Sequence, residues 1–284
     1  MKKIDAGTNF VRTHLDMFRC PTCGQPYETI SDHSLVCPEH HVLDVNKKGS
    51  LYFLKHAVAT EYNTNMLAAR RRMLTEGLFY PIIEAVSQAL PTTAQRILDV
   101  GTGEGTPLAQ LDQLRRNADD ALIGFDLSKD GVNLATQLDS QAFFCVADLA
   151  QLPFNDESFD AIIELFSPSA YKEFERVTRP GGQLVKVVPN ANYLVELRHA
   201  LYDESQRQYH YENERVVELF AEHYPDMKQT QLQYEFPIGT SRIEDMLTMT
   251  PLSWGADEQH REQLLAHPVD HVTVDVSLLT VTLP

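Results

Sequence analysis

Two groups of residues in this chain have the types and spacing to do chemistry. The first is Cys20-Pro21-Thr22-Cys23, followed by Cys37 and the pair His40-His41. Two cysteines separated by two residues make a tight knuckle whose thiolates converge on one point. A second knuckle ending in histidine completes a tetrahedral Cys3His set, which suits zinc. The spacing is C-x2-C-x13-C-x3-H if His41 is the fourth ligand. His40 is also within reach of Cys37, and His41 is preferred. Nothing in this segment offers an open coordination position, so the zinc is expected to be structural.

The second group is Ile97-Leu98-Asp99-Val100-Gly101-Thr102-Gly103-Glu104-Gly105. An apolar run is cut by three glycines at alternate positions, and a helix-compatible stretch follows. Glycine lets a ligand approach the backbone where a Cβ would collide with it. The amides at the following helix start favour an anionic or electron-rich ligand. Such a loop serves nucleotide-type cofactors, and three details separate NAD from S-adenosylmethionine. The dinucleotide fingerprint needs a third glycine at position 106, where this chain has Thr106. Glu104 would repel a pyrophosphate but can lie beside the cationic methionine part of S-adenosylmethionine. Asp126, 21 residues beyond Gly105, is placed to accept from ribose hydroxyls, and Asp148 from an adenine amino group.

These residues must be held by elements, and the chain supplies them by alternation. Strand runs Ile97–Val100, 121–125, 142–146, 159–166 and 183–188 are separated by helical stretches near 107–114, 128–138 and 171–178, with a turn at Arg179-Pro180-Gly181-Gly182. Repeated β-α alternation of this length predicts a parallel sheet covered by helices, with ligands at the carboxyl ends of the strands. Asp126 and Asp148 both lie at such ends. Helices at 194–201 and 216–224, a strand at 231–236, a short helix at 241–249 and a long strand at 271–283 would complete seven strands. Upstream, 27–36 has hairpin length, and the runs 42–45 and 50–54 close a module that could hardly fold without its metal. Residues 60–90 read as two helices broken at Gly77. The expected domains are a polar lead-in over 1–17, a zinc-binding module over 18–57, a helical connector over 58–90 and the large α/β domain over 91–284.

The bulk numbers exclude several classes. A net charge of −16, from 24 basic and 40 acidic residues, argues against binding nucleic acid through a whole basic face. A local patch is still allowed, and Arg70-Arg71-Arg72 is the densest positive charge; a solvated helix face is the plainer reading of it. No apolar run approaches the ~20 residues of a membrane span, and the basic start has no apolar core behind it. A cytoplasmic location without membrane partners is expected, and there a disulfide framework is not.

The motifs together resemble the class I S-adenosylmethionine-dependent methyltransferases. The resemblance rests on Leu98 to Gly105, Asp126, the run Asp148-Leu149-Ala150-Gln151-Leu152-Pro153-Phe154 and the turn at 179–182. With the zinc knuckles and Ala69-Arg70-Arg71 added, the chain is similar to the 23S ribosomal RNA guanine-N1 methyltransferases of the RlmA type over about residues 18–284. Cys145-Val146-Ala147, residues 158–163, Met249-Thr250-Pro251 and Trp254 are further points of similarity. The resemblance implies a Rossmann-like seven-stranded methyltransferase domain with a zinc module that takes part in RNA recognition. It implies methylation of one of two neighbouring guanines in a 23S rRNA hairpin, and it leaves room for a homodimer. It also implies cofactor contacts from Phe79 and Tyr193, with Tyr80 the neighbouring alternative to Phe79. With Gly101, Gly103, Glu104, Asp126 and Asp148 these make up the expected cofactor-binding set. Thr102 stands where the family commonly has cysteine, and a small side chain suffices there. Glu164, Phe166 and Pro168 are expected to face the methyl donor. No catalytic base is assigned, and Glu164 is as readily a paired structural acid. Two other readings are kept open: a small-molecule methyltransferase, and a non-catalytic cofactor-bound adaptor for RNA or protein.

Overall fold

The computed structural model describes residues 1–284 apart from 57, 59–61 and 117. In chain order the elements begin with α1 (Lys3–Thr13), β1 (Thr29–Ser31), β2 (Ser34–Val36), β3 (Val42–Asp44) and β4 (Leu51–Tyr52). Next come α2 (Thr64–Thr75), α3 (Tyr80–Ala89), β5 (Arg96–Val100), α4 (Thr106–Leu114), β6 (Ala121–Asp126), α5 (Lys129–Ala135) and β7 (Phe143–Val146). The alternation continues through β8 (Phe159–Leu165), α6 (Tyr171–Val177), β9 (Thr178–Pro189) and α7 (Val195–Leu201). The chain ends with α8 (Glu214–His223), β10 (Lys228–Pro237), α9 (Ile243–Met249), α10 (Glu258–Ala266) and β11 (His271–Thr282). The expected domain border at residue 57 and the expected helix start at Thr60 lie outside the described residues.

The chain forms two compact units: Met1–Tyr62 with Ile83–Val185 and Thr282–Pro284, and Asn63–Ile82 with Lys186–Val281. In the first unit the strand order is β9-β8-β5-β6-β7-β4. The pairs β5–β6, β5–β8, β6–β7 and β4–β7 are parallel. The central strands are buried on both faces, and β6 reads Ala-Leu-Ile-Gly-Phe before its acid. Such continuous apolar runs belong to a sheet covered by helices on both sides. In the second unit the order is β10-β11-β9, with β10 and β11 antiparallel from Lys228↔Thr280 to Pro237↔His271. There α2 turns Met66, Ala69 and Met73 inward, while α9 buries Met246, Leu247 and Met249. This is the Rossmann-like architecture of seven strands, β5 to β11, with a small N-terminal metal-ligand segment.

Four local details differ from the expectations. Residues 1–17, read as a loose lead-in, contain helix α1. Its buried residues are Gly7, Thr8 and Val11, of which only the last is a large apolar one, so the apolar period is faint; a Cβ on Gly7 would stand 2.2 Å from the Gly49 carbonyl oxygen. The run at 50–54 does not close the zinc module on itself, because β4 pairs with β7 and adds an eighth, edge strand. Residues 179–182 belong to β9 rather than to a free turn: Gly181 has φ +81°, and Gly181 and Leu283 exchange backbone bonds with Leu283 and Gly182. Helix α10 was not expected. Its apolar content is small, and only Leu264 is buried.

Candidate functional site: a metal centre and a cofactor loop

The four expected metal ligands converge. The ligand atoms of Cys20, Cys23, Cys37 and His41 all lie within 4.8 Å of one another. Cys23 Sγ is 3.6 Å from Cys37 Sγ, and Cys37 Sγ is 3.4 Å from His41 Nδ1. Tetrahedral zinc bonds of about 2.3 Å to sulfur and 2.0 Å to nitrogen require edges of about 3.8 and 3.5 Å. The residues therefore fit a structural zinc. His40 is exposed in a left-handed turn at φ +59° and is not in the cluster, which decides between the two histidines. The knuckle is shaped by backbone: Gly24 N–H donates to the Cys20 carbonyl at 2.8 Å, and His40 N–H to the Cys37 carbonyl at 2.9 Å.

The ligand cluster is fastened to the sheet by its flank. Phe18 pairs with Phe154 as an isolated bridge, and Arg19 N–H donates to the Pro153 carbonyl at 3.0 Å. The Phe18 ring, fully buried, lies 5.7 Å from Phe154, 5.8 Å from Phe143 and 6.3 Å from Phe53. Aromatic packing of this kind couples the metal segment to the stretch just beyond Asp148.

At the glycine loop the three glycines are needed for two different reasons. A Cβ on Gly101 would meet Ser167 Oγ at 2.6 Å, and one on Gly105 would meet Ala135 at 2.6 Å. Those two glycines make room for the protein itself. Only at Gly103, with φ +58°, would a Cβ point into open space, so this is the position where a ligand can meet bare backbone. Of the two glycines expected to bind the cofactor, Gly103 leaves open space beside its backbone and Gly101 faces Ser167.

Asp126, at the end of β6, is half-buried. It accepts from Gly103 N–H at 2.8 Å and from Ser128 N–H at 2.7 Å, one bond to each oxygen. Asp148, beyond β7, is exposed and caps its own turn through Ala150 N–H at 2.9 Å. Glu104 is fully buried and accepts from the Thr106 amide at 3.2 Å and its hydroxyl at 2.7 Å. It closes the first turn of α4. Glu164 is also fully buried, with both oxygens 3.0 Å from Ser169 Oγ, which donates to them. Phe166 follows in a left-handed conformation at φ +60°.

Phe79 and Tyr193 belong to the second unit. Phe79 is buried beneath Arg70, whose guanidinium carbon is 5.4 Å from the ring centroid. Tyr193 precedes α7, and burial pushes its hydroxyl up to about 12 while Arg70 and Arg198 pull the other way. Of the expected basic patch, Arg72 is committed elsewhere: its guanidinium grips Asp245 at 2.8 and 2.5 Å. Arg70 is turned onto an aromatic ring. The run of three arginines is thus not one solvated stripe.

With this geometry in place, the likenesses to known proteins are specific. The model of a methyltransferase domain matches residues 91–240. The Bacillus subtilis (strain 168) protein named "Putative 23S rRNA (guanine-N(1)-)-methyltransferase YxjB" is 36% identical over 93% of this chain and 96% of its own. The 23S rRNA (guanine(748)-N(1))-methyltransferase of Streptomyces fradiae is 29% identical over 91% of this chain and 94% of its own. The chain belongs to the 23S rRNA (guanine-N1)-methyltransferase family. Among solved structures, Haemonchus contortus phosphoethanolamine N-methyltransferase 2 matches with a TM-score of 0.48 and 18% identity, over 82% of this chain and 61% of that one.

The protein is therefore a methyltransferase of the S-adenosylmethionine-dependent class, and its Cys3His cluster is compatible with structural zinc. Among the described residues, no helix of this methyltransferase is long and apolar enough to cross a membrane. Sequence reasoning missed Ser128 and Ser167, which support the loop. Ser128 Oγ caps α5 by accepting from Gly131 N–H at 3.1 Å, and a serine two residues after a strand-end aspartate is a legible cap signal. Ser167 Oγ donates to the Val100 carbonyl at 2.7 Å; it lies 67 residues along the chain, and no local pattern points to it.

Proposed function

We propose that this protein transfers a methyl group from S-adenosylmethionine to N1 of a guanine in a 23S rRNA hairpin, in the cytoplasm, with its zinc module contributing to RNA recognition. The observation that carries the reading is the 36% identity to a family relative over 93% of the chain. Too little is left over for the metal segment to fall outside that match.

The residues toward the cofactor would divide the work. Gly103 lets a ligand lie against the backbone, Asp126 accepts from ribose hydroxyls, and Asp148 accepts from the adenine amino group. Phe79 and Tyr193 are carried by family likeness as further contacts. Gly101 and Glu104 act by shaping the loop, Gly101 by admitting Ser167 and Glu104 by tying down Thr106. When bound, S-adenosylmethionine supplies an electrophilic methyl on a cationic sulfonium. Charge is lost in the transfer, so the protein's task is chiefly positioning. Guanine N1 gives up a proton as it gains the methyl, which calls for a base in the site. A guanine within a hairpin stack would have to leave it to reach the sulfonium.

The test is incubation of the full chain with methyl-labelled S-adenosylmethionine and RNA from cells lacking the gene. Label in 23S rRNA, mapped to one guanine by a stop to reverse transcription, is the expected outcome. The net charge of −16 favours one competitor, a small-molecule methyltransferase; label confined to small molecules would establish it. No transfer to either would leave the adaptor reading.

A further inference from the structure

In a chain this acidic, carboxylates are abundant, and most buried or half-buried arginines find one. Arg72, Arg96, Arg115, Arg176, Arg179 and Arg242 each sit on an aspartate or glutamate. Arg70 and Arg198 of the second unit are among those that do not. Arg198, on α7, is only 8% exposed. Its Nε donates to the Tyr193 carbonyl at 3.0 Å, one terminal nitrogen donates to the Gln208 carbonyl at 3.2 Å, and its guanidinium lies 4.7 Å from the Tyr211 ring centroid. Arg70, on α2, faces the Phe79 ring. Among the described residues neither has an ion-pair partner. Both act electrostatically on the same Tyr193, and the ionisable groups acting on Arg198 are Tyr211, Tyr193 and Tyr202, with no acid among them.

Burial of a guanidinium without a counter-charge is costly, and arginine does not escape the cost by losing its proton. Carbonyls and ring faces offset part of it. The remaining donors of the fork match the geometry of a carboxylate or phosphate. We propose that Arg70 and Arg198, framed by Phe79, Tyr193 and Tyr211, form an oxyanion-binding site. Two sources could supply that oxyanion: a phosphodiester of the RNA, or the carboxylate of the methionine part of the cofactor. The RNA source rests on the rRNA reading above; the site itself does not.

The experiment uses the full-length protein and the variants Arg70→Gln, Arg198→Gln and Arg198→Lys, with Arg72→Gln as a control arginine already paired to Asp245. One arm measures binding of a synthetic 23S rRNA hairpin across a salt series. The other measures binding of S-adenosylmethionine and of its decarboxylated analogue. If the oxyanion is a phosphate, each Gln variant weakens hairpin binding about tenfold and lowers the slope of log affinity against log salt by about 0.7. If it is the cofactor carboxylate, the variants lose S-adenosylmethionine affinity but bind the decarboxylated analogue as the parent does. Arg198→Lys, which keeps the charge, recovers part of either loss, and Arg72→Gln shows neither. Unchanged salt slope and unchanged cofactor preference in Arg70→Gln and in whichever Arg198 variant folds would overturn the site. Wild-type methylation of 23S rRNA alongside that result would leave the functional reading standing. Loss of carboxylate preference in a protein that does not methylate rRNA would do the reverse.

Discussion

Replacing Asp126 separates the role the structure shows for this carboxylate from the one proposed for it. The side chain ties Gly103 to Ser128 through bonds of 2.8 and 2.7 Å, and it is the expected ribose acceptor. Hydrogen bonds to a charged group contribute about 1.5–3 kcal/mol each, and water can replace part of that at a half-exposed site. Asp126→Ala should therefore cost about 2–4 kcal/mol of stability. Asp126→Asn keeps one acceptor for one amide and turns an NH2 toward the other, so its cost should be near half that. Both variants lose the charged ribose acceptor, and S-adenosylmethionine affinity should fall about a hundredfold, equivalent to roughly 2.7 kcal/mol. Urea unfolding read by circular dichroism gives the first quantity, and titration calorimetry with S-adenosylmethionine gives the second. Parent-like affinity in Asp126→Asn refutes the ribose role. Parent-like stability in Asp126→Ala refutes the strut.

The loop glycines should behave differently from one another. Gly103→Ala should cost about 1 kcal/mol for its positive φ yet weaken cofactor binding strongly, whereas Gly105→Ala, with a Cβ 2.6 Å from Ala135, should mainly lower the melting temperature; equal effects on both measurements would contradict the assignment. Metal analysis should find one zinc per chain, and Cys20→Ser should lose it. Because Phe18 packs on Phe143 and Phe154, that variant should melt in one transition at lower temperature, and a separate early transition with the main one unmoved would show the coupling to be absent. The Arg72 guanidinium holds the Asp245 carboxyl below its ordinary 3.8. A depressed carboxylate stabilises the fold above its unfolded value and loses that contribution as pH falls through the folded one. The stability gap between wild type and Asp245→Asn, up to about 1 kcal/mol for a partly exposed pair, should be constant from neutral pH to about 5 and shrink below 4; a gap that grows toward acid would be wrong in sign.

What the sequence determined by itself was local. The cysteine knuckles, the glycine loop and the strand-end aspartates each depend on residues within a few positions, where spacing fixes which side chains can converge. The β-α alternation made β5 to β8 legible because buried parallel strands must be apolar throughout. Tertiary structure decided everything that pairs distant residues. His41 is distinguished from His40 by the backbone turn that points one inward. Helix α1 packs where Gly7 closely approaches Gly49, a contact that leaves no apolar mark in the sequence. Arg72 meets Asp245 across 173 positions, while Arg70, two residues before it, faces the Phe79 ring. For the same reason Arg198, an ordinary helical arginine in the sequence, becomes a buried charge with no acid beside it. Periodicity records which face of an element is apolar, but only the fold determines which charges are left without partners.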